Sequence, residues 1–215
     1  MSKAIVLLSG GMDSAVVAAM ARQLHDEVIA LNIIYGQTND REIICAQRLS
    51  DYLGLKYIEM DLSDIFNNFS SSLLRGCGRD ITDDGKTYVP ARNSIFLSIA
   101  AGYADSTNAK HIYYGAHKED AGGYPDTTMI YYLKMKRALE EGTKNRVQLE
   151  APFISKTKEE IVRTGMRLRV PFELTHSCYK NQDPPCGECP TCKLRSQAFS
   201  NAGYIDPLVL KRRGE

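Results

Sequence analysis

The amino-acid sequence predicts an α/β chain with a doubly wound, mostly parallel sheet, on three observations. Apolar, β-rich runs alternate with amphipathic helical runs from residue 3 to residue 61. A glycine- and serine-rich turn, Ser9–Ser14, closes the first strand at the end where such sheets hold ligands. Four cysteines crowd between Cys178 and Cys192, so the chain closes on a metal-type knuckle instead of another βα unit.

KAIVLLS, Lys3–Ser9, has the unbroken apolar character of a buried strand. A helix follows over Asp13–His25, with Val16, Val17, Met20, Ala21 and Leu24 at helical spacing. Glu27–Tyr35 is a second strand. Asn39-Asp40 can cap a helix to Leu53 with Cys45, Leu49, Tyr52 and Leu53 on one stripe, ended by Gly54. Lys56–Asp61 makes the third strand. Residues 62–87 break the rhythm with Ser70, Ser71, Ser72, Gly76, Gly78, Gly85 and the pair Asp83-Asp84, and a loop this long is expected to be a lid. Regular structure resumes with a helix over 93–104, a strand His111–Ala116 and a helix Met129–Glu141. Thr157 and Glu160 form a capping box for a helix to about Leu168. A last helix, Thr191–Ala202, stops at Gly203. The expected organisation is an α/β domain over 1–170 that carries the Ser9–Ser14 turn, with a lid at about 62–87, and a cysteine-bearing, metal-type segment over 171–215 packed on the same core.

The 215 residues suffice for one well-cored domain, and 27 basic against 26 acidic residues leave a net charge of +1. That balance gives no electrostatic case for nucleic acid or an anionic membrane. The opening apolar run is too short for a signal peptide, and no run approaches the roughly 20 residues of a bilayer span. A soluble, cytoplasmic protein is expected.

Gly10 and Gly11 allow close backbone approach, and amides at a helix start favour an anion. Ser9 and Ser14 add hydroxyls. Asp13 beside phosphate calls for a cation between them, most simply Mg²⁺. G-x-x-x-x-G-K-[ST] and G-x-G-x-x-G are both absent. S-G-G-x-D-S instead resembles the pyrophosphate (PP) loop of the ATP-pyrophosphatase superfamily, whose members include GMP synthetases and tRNA thiolases. This resemblance implies a Rossmann-like fold of the adenine nucleotide alpha hydrolase type, and ATP cleaved between its α and β phosphates.

Two further stretches narrow the substrate. In Thr87–Ala104 Arg92 opens a helix beside the lid, with a planar fork suited to a carboxylate or phosphate. In Tyr113–Thr128 His117, Glu119, Asp120, Tyr124 and Asp126 gather after a strand end, where a planar base could stack and donate to a carboxylate. With SGGxDS, YGQ (Tyr35–Gln37), YVPARN, GAHxED, YPD, ELTHSCY and CGxCxxC in order, the chain resembles the 7-cyano-7-deazaguanine synthase family of the queuosine pathway from Ala4 to about Gly203. The resemblance implies adenylation of 7-carboxy-7-deazaguanine, amide formation with ammonia, and a second ATP-driven step to the nitrile. It implies ATP binding by Leu8, Ser9, Gly10, Gly11, Met12, Asp13, Ser14, Ala15, Val16, Val17 and Ala18. Asp13, Arg92, His117, Asp120 and Lys156 become catalytic candidates, and Arg92, Glu119, Tyr124 and Asp126 substrate-binding ones. A homodimer using free ammonium is also implied. In the family YPD is commonly followed by cysteine; here Thr127 follows Asp126, which leaves room for a reaction stopping at the amide or for another acceptor.

Cys178, Cys186, Cys189 and Cys192 follow C-x7-C-x2-C-x2-C. Four thiolates suit one structural, tetrahedral Zn²⁺ per chain, with no open position. An Fe–S cluster and disulfides are the alternatives, and His176 is a substitute ligand. Cys45 reads as core. The rival functions are a tRNA sulfur-transferase, for which Cys77 is the catalytic candidate, and a non-catalytic nucleotide-binding module.

Overall fold

The chain reverses its order of strands at the first strand, and this reversal positions the site. The structure is a computed structural model that describes residues 2–75 and 87–213, without the side chains of Ala121 and 211–213. Its strands are β1 (Lys3–Leu7), β2 (Glu27–Ile34), β3 (Lys56–Asp61), β4 (His111–Tyr113) and β5 (Gln148–Glu150). They form one five-stranded sheet in the order β3-β2-β1-β4-β5, parallel at every pairing. After β3 the chain crosses back to the other side of β1. A crevice therefore opens beyond the carboxyl ends of β1 and β4.

Among the described residues the helices are α1 (Met12–Leu24), α2 (Arg41–Leu53), the single turn α3 (Ser63–Phe66), α4 (Arg92–Ser106), α5 (Met129–Gly142), α6 (Lys158–Arg167), α7 (Pro190–Ala202) and α8 (Pro207–Arg213). Side chains alternate along each strand, so the core divides into two layers. Ala4 and Val6 face α1 together with Ile161, Phe172 and Phe199. Ile5, Ile29 and Leu31 face Leu97 and Ala100 of α4 and Leu139 of α5. The helices thus cover both faces, as a doubly wound sheet requires. Because α1 lies between the sheet and α6, all of Ala15–Ala19 is buried, whereas Leu24 at its end is 63 % exposed.

Helix α2 departs from the expected stripe. Ala46, Leu49 and Ser50 are its buried residues, Cys45 is half-buried and Tyr52 is exposed. The rotation is set by the phosphate turn: a Cβ on Gly10 would overlap the Glu42 carbonyl and crowd the Ala46 amide, so the backbone of α2 faces the turn here. Asp40 does not cap the helix with its side chain; it pairs with Arg75. Within the expected lid, residues 62–75 include α3 and bury Phe66, Leu73 and Leu74 beside Tyr35 and Val89. Residues 76–86, including Cys77, Asp83 and Asp84, lie outside the described residues. β5, α3 and α8 are elements the sequence pattern does not announce.

The segment after Pro171 is anchored by Arg195 of α7. Its Nε and Nη2 donate to Asp206 Oδ2 and Oδ1 at 2.8 and 2.9 Å, and Nη2 also donates to the Phe172 carbonyl at 3.0 Å. Both members of the pair are buried, so removing one leaves an uncompensated charge. Arg195→Met is expected to destabilise the protein by about 3–5 kcal/mol, read by urea unfolding; a loss below about 1 kcal/mol would show that this anchor is dispensable.

Candidate active site

The phosphate turn holds its shape through its own hydroxyls. Gly11 N–H donates to Ser9 Oγ at 3.3 Å, Ser9 N–H donates to Ser14 Oγ at 3.2 Å, and Ser14 Oγ donates to the Gly11 carbonyl at 3.0 Å. Gly10 takes φ +91°, open to glycine and strained for other residues. Across the crevice, a Cβ at Gly115 would stand 3.1 Å from the Ser14 amide nitrogen, so glycine at the end of the β4 segment keeps this amide uncovered.

The turn opens into a cavity of about 570 Å³. Two groups of polar side chains line it or stand just behind its wall. In the first, Lys158 Nζ lies 3.0 Å from Asp13 Oδ2 and 3.4 Å from His117 Nε2. His117 is 1 % exposed, its Nε2 is 3.3 Å from Asp120 Oδ1, and its Nδ1 is 3.2 Å from Glu119 Oε2. Burial pushes the Asp120 carboxyl up, with neighbouring Asp13 adding to the effect and His117 and Lys158 opposing it. Asp13 Oδ1 is buried without a partner, free to take a cation. In the second group, Arg92 Nη1 donates to Tyr35 Oη at 3.1 Å, and Glu42 stands in the wall with its pKa raised to about 7 by burial, against the pull of Arg92. Tyr124 joins Thr87 through their hydroxyls at 2.9 Å, and Tyr179 closes the same side. Ala91, just before Arg92, takes φ +51°, a left-handed conformation that costs a non-glycine residue energy and sets where α4 begins.

The expected site residues divide on this geometry. Leu8, Ser9, Gly11, Asp13, Ser14, Arg92, Glu119, Asp120 and Tyr124 line the cavity. His117 is packed just behind Asp13 and Asp120. Gly10 faces α2, and Met12, Ala15, Val16, Val17 and Ala18 are core residues that pack α1. Asp126 is buried away from the lining, where Oδ2 accepts the Asn93 amide at 3.0 Å near the start of α4. Its successor Thr127 does line the cavity, and its hydroxyl donates to the Tyr124 carbonyl at 2.7 Å. Lys156 is not brought to the cavity; half-exposed, it pairs with Glu160 at 2.9 Å. The lysine that reaches Asp13 is Lys158, the first residue of α6. Side chains tilt toward a helix N-terminus, so the residue after the Thr157 cap is aimed at the crevice. Glu42 and Asn39 are further lining residues outside the quoted motifs, and Tyr35 and Tyr179, within the YGQ and ELTHSCY motifs but given no role there, line the cavity as well.

The cysteine cluster lies next to this cavity. The Sγ atoms of Cys178, Cys186, Cys189 and Cys192 are all within 4.8 Å of one another and could hold a metal ion. The Glu188 and Cys189 amides each donate to Cys186 Sγ at 3.4 Å. His176 is not part of the cluster; burial lowers its pKa to about 4, and its amide donates to the Gly10 carbonyl at 3.0 Å. The segment carrying the cysteines is thereby bonded to the phosphate turn.

Sheet order, phosphate turn and crevice define a doubly wound α/β protein with its ligand site at the carboxyl ends of the strands. The U34-tRNA thiolase NcsA of Methanococcus maripaludis, solved with its [4Fe-4S] cluster, shares the fold at a TM-score of 0.55 and 16 % identity, with 99 % of this chain and 71 % of that one covered. The family described as queuosine biosynthesis protein QueC matches residues 3–203, and the chain belongs to it. A 7-cyano-7-deazaguanine synthase of Thermoplasma acidophilum is 42 % identical over 98 % of this chain and 92 % of its own length. One from Nautilia profundicola is 40 % identical over 99 % of this chain and all of its own length.

The two lysines give a direct test of the geometry. Lys158→Ala is expected to lower ATP-dependent turnover by about 100-fold or more, as loss of one charged stabiliser in a site does. Lys156→Ala should leave the rate within about twofold, as a surface substitution does. Equal effects of the two substitutions in steady-state assays would contradict the assignment.

Proposed function

We propose that this chain converts 7-carboxy-7-deazaguanine and ammonia to 7-cyano-7-deazaguanine at the expense of ATP. Membership of the family and the names of its relatives support this reading. The observation that carries it is one cavity that combines a phosphate turn with an aromatic, arginine-containing wall suited to a planar acid.

The reaction needs no nucleophilic side chain. The substrate carboxylate attacks the α-phosphate of ATP and expels pyrophosphate, forming an acyl-adenylate. Ammonia attacks the acyl carbon, AMP leaves, and a proton is released. The amide oxygen then attacks a second ATP in the same way, and loss of AMP and a proton leaves the nitrile. In this account the amides of Ser9–Ser14 grip the departing pyrophosphate. Lys158 offsets its developing charge, and Mg²⁺, which Asp13 would hold, would supply further charge neutralisation. Arg92 orients the carboxylate through its planar fork. The His117–Asp120 pair takes protons from the attacking ammonia and the amide, with Asp120 made more basic by burial.

The cysteine cluster fits a structural zinc ion. Zn–S bonds of about 2.3 Å place tetrahedral sulfurs roughly 4 Å apart, and Cys186 and Cys192 Sγ are 3.9 Å apart. A cuboidal iron–sulfur cluster holds its cysteines on separate irons and farther from one another. The described part of the segment after residue 170 then acts as a zinc-fixed wall on the unit that carries the phosphate turn. A cytoplasmic homodimer drawing on free ammonium completes the reading.

The test is incubation with ATP, Mg²⁺ and ammonium, with and without the acid, followed by mass spectrometry. AMP and nitrile are expected only when the acid is present. Acid-dependent AMP with amide alone would limit the reaction to its first half, and AMP formation independent of the acid would remove the substrate assignment.

A further inference from the structure

We propose that Glu42, with Asn39, is the specificity determinant for the base: the Glu42 carboxylate accepts the N1–H and 2-amino hydrogens of the deazaguanine, and the Asn39 amide donates to O6. This inference rests on the deazaguanine reading above.

It follows from how the carboxylates around the cavity are already engaged. Asp13 is paired with Lys158 at 3.0 Å. Glu119 accepts the Lys158 amide at 2.7 Å, and so serves the start of α6. Asp120 accepts the His117 amide at 3.3 Å. Asp126 lies off the cavity and accepts the Asn93 amide. Glu42 lines the cavity and makes no ion pair among the described residues, since none of the pairs formed by the lysines and arginines around it includes it. Its neighbour Asn39 is 6 % exposed, also lines the cavity, and has both amide atoms buried without a partner. The Asn39 amide acts on the Glu42 carboxylate, favouring its ionised form, yet neither of its atoms reaches good hydrogen-bond geometry with any group. Buried polar atoms are nearly always well hydrogen-bonded, so this loosely matched pair in the cavity wall points to a ligand that completes it. The pyrimidinone edge of a guanine presents an acceptor at O6 and donors at N1 and the 2-amino group. That is the complement of one amide donor and one carboxylate. Tyr35, Tyr124 and Tyr179 stand around the same wall with faces and edges for a planar ring.

Protonation adds a signature. Glu42 is raised to about 7 by burial, with the Arg92 charge and the Asn39 amide opposing. The other titratable groups that sense it are Tyr35 at the end of β2, Tyr179 in the cysteine segment and Cys45 on its own helix. Below about pH 7 the free protein holds the carboxyl protonated, with a donor where an acceptor is needed. Binding the base then releases a proton, and affinity rises with pH until the carboxyl ionises unaided.

The experiment is calorimetric titration of 7-carboxy-7-deazaguanine, and of its analogue lacking the 2-amino group, into wild type, Glu42→Gln and Glu42→Asp. Thermal melting checks that each variant is folded. Wild type should prefer the amino compound by about 10- to 100-fold, the worth of a good bidentate pair, and should release close to one proton at pH 6, read from buffers of different ionisation heat. Glu42→Gln should bind the amino compound correspondingly more weakly, lose the preference and show a flat pH profile, while Glu42→Asp keeps part of it. A folded Glu42→Gln that retains preference and pH dependence overturns the assignment, even if the variant is slower. Wild type that binds the acid with no preference and no proton release overturns it independently of any variant and leaves the deazaguanine reading standing. Failure of wild type to bind the acid at all would remove both.

Discussion

At Gly10 parts of the chain far apart in sequence meet with no room for a side chain. Its φ of +91° turns the backbone out of β1, and the start of α2 occupies the space a Cβ would need. Its carbonyl accepts the His176 amide at 3.0 Å, which ties the turn to the segment bearing the cysteines. The phosphate turn, the helix that carries Glu42 and the metal-type knuckle are therefore parts of one junction. That junction sets the rotation of α2 and aligns the Ser14 amide opposite Gly115.

The chemistry of the cavity follows from which polar groups the fold consumes and which it leaves open. The carboxylates of Glu119, Asp120 and Asp126 each accept a backbone amide, so they fix loops and helix starts as well as charge. Asp13 keeps one buried oxygen without a partner. Lys158 stands between Asp13 and His117, where it can answer negative charge at the turn and, by its own charge, influence the proton-handling pair. Charge placed in advance in a site shielded from water acts more strongly than the same charge on a surface.

Much of this was legible in the sequence. The alternation from Lys3 to Asp61 gave the parallel sheet, the capping box at Thr157 gave the start of α6, and the glycine-serine turn located the crevice. The metal-type cysteine spacing corresponds to four sulfurs gathered in space. What escaped depends on neighbours distant in the chain. The stripe through Cys45 and Tyr52 has helical spacing, yet Gly10 rotates α2 so that Ala46 faces inward. Asp126 looks like a recognition acid in its loop, but the start of α4, distant in sequence and packed beside that loop, claims it. Lys156 and Lys158 both flank the Thr157 cap, and only the direction of the helix decides between them. β5 spans Gln148–Glu150 and carries too little pattern to be read without its partner β4.

The claim that the knuckle and the phosphate turn form one junction is tested most directly by nucleotide affinity with and without the metal. ATP binding would be measured by calorimetry on zinc-loaded protein and on protein stripped with a chelator, with circular dichroism showing that the sheet survives. The account predicts that stripping weakens ATP binding and that restoring zinc recovers it, since the His176–Gly10 bond depends on an ordered cysteine segment. Unchanged affinity in folded, stripped protein would contradict it.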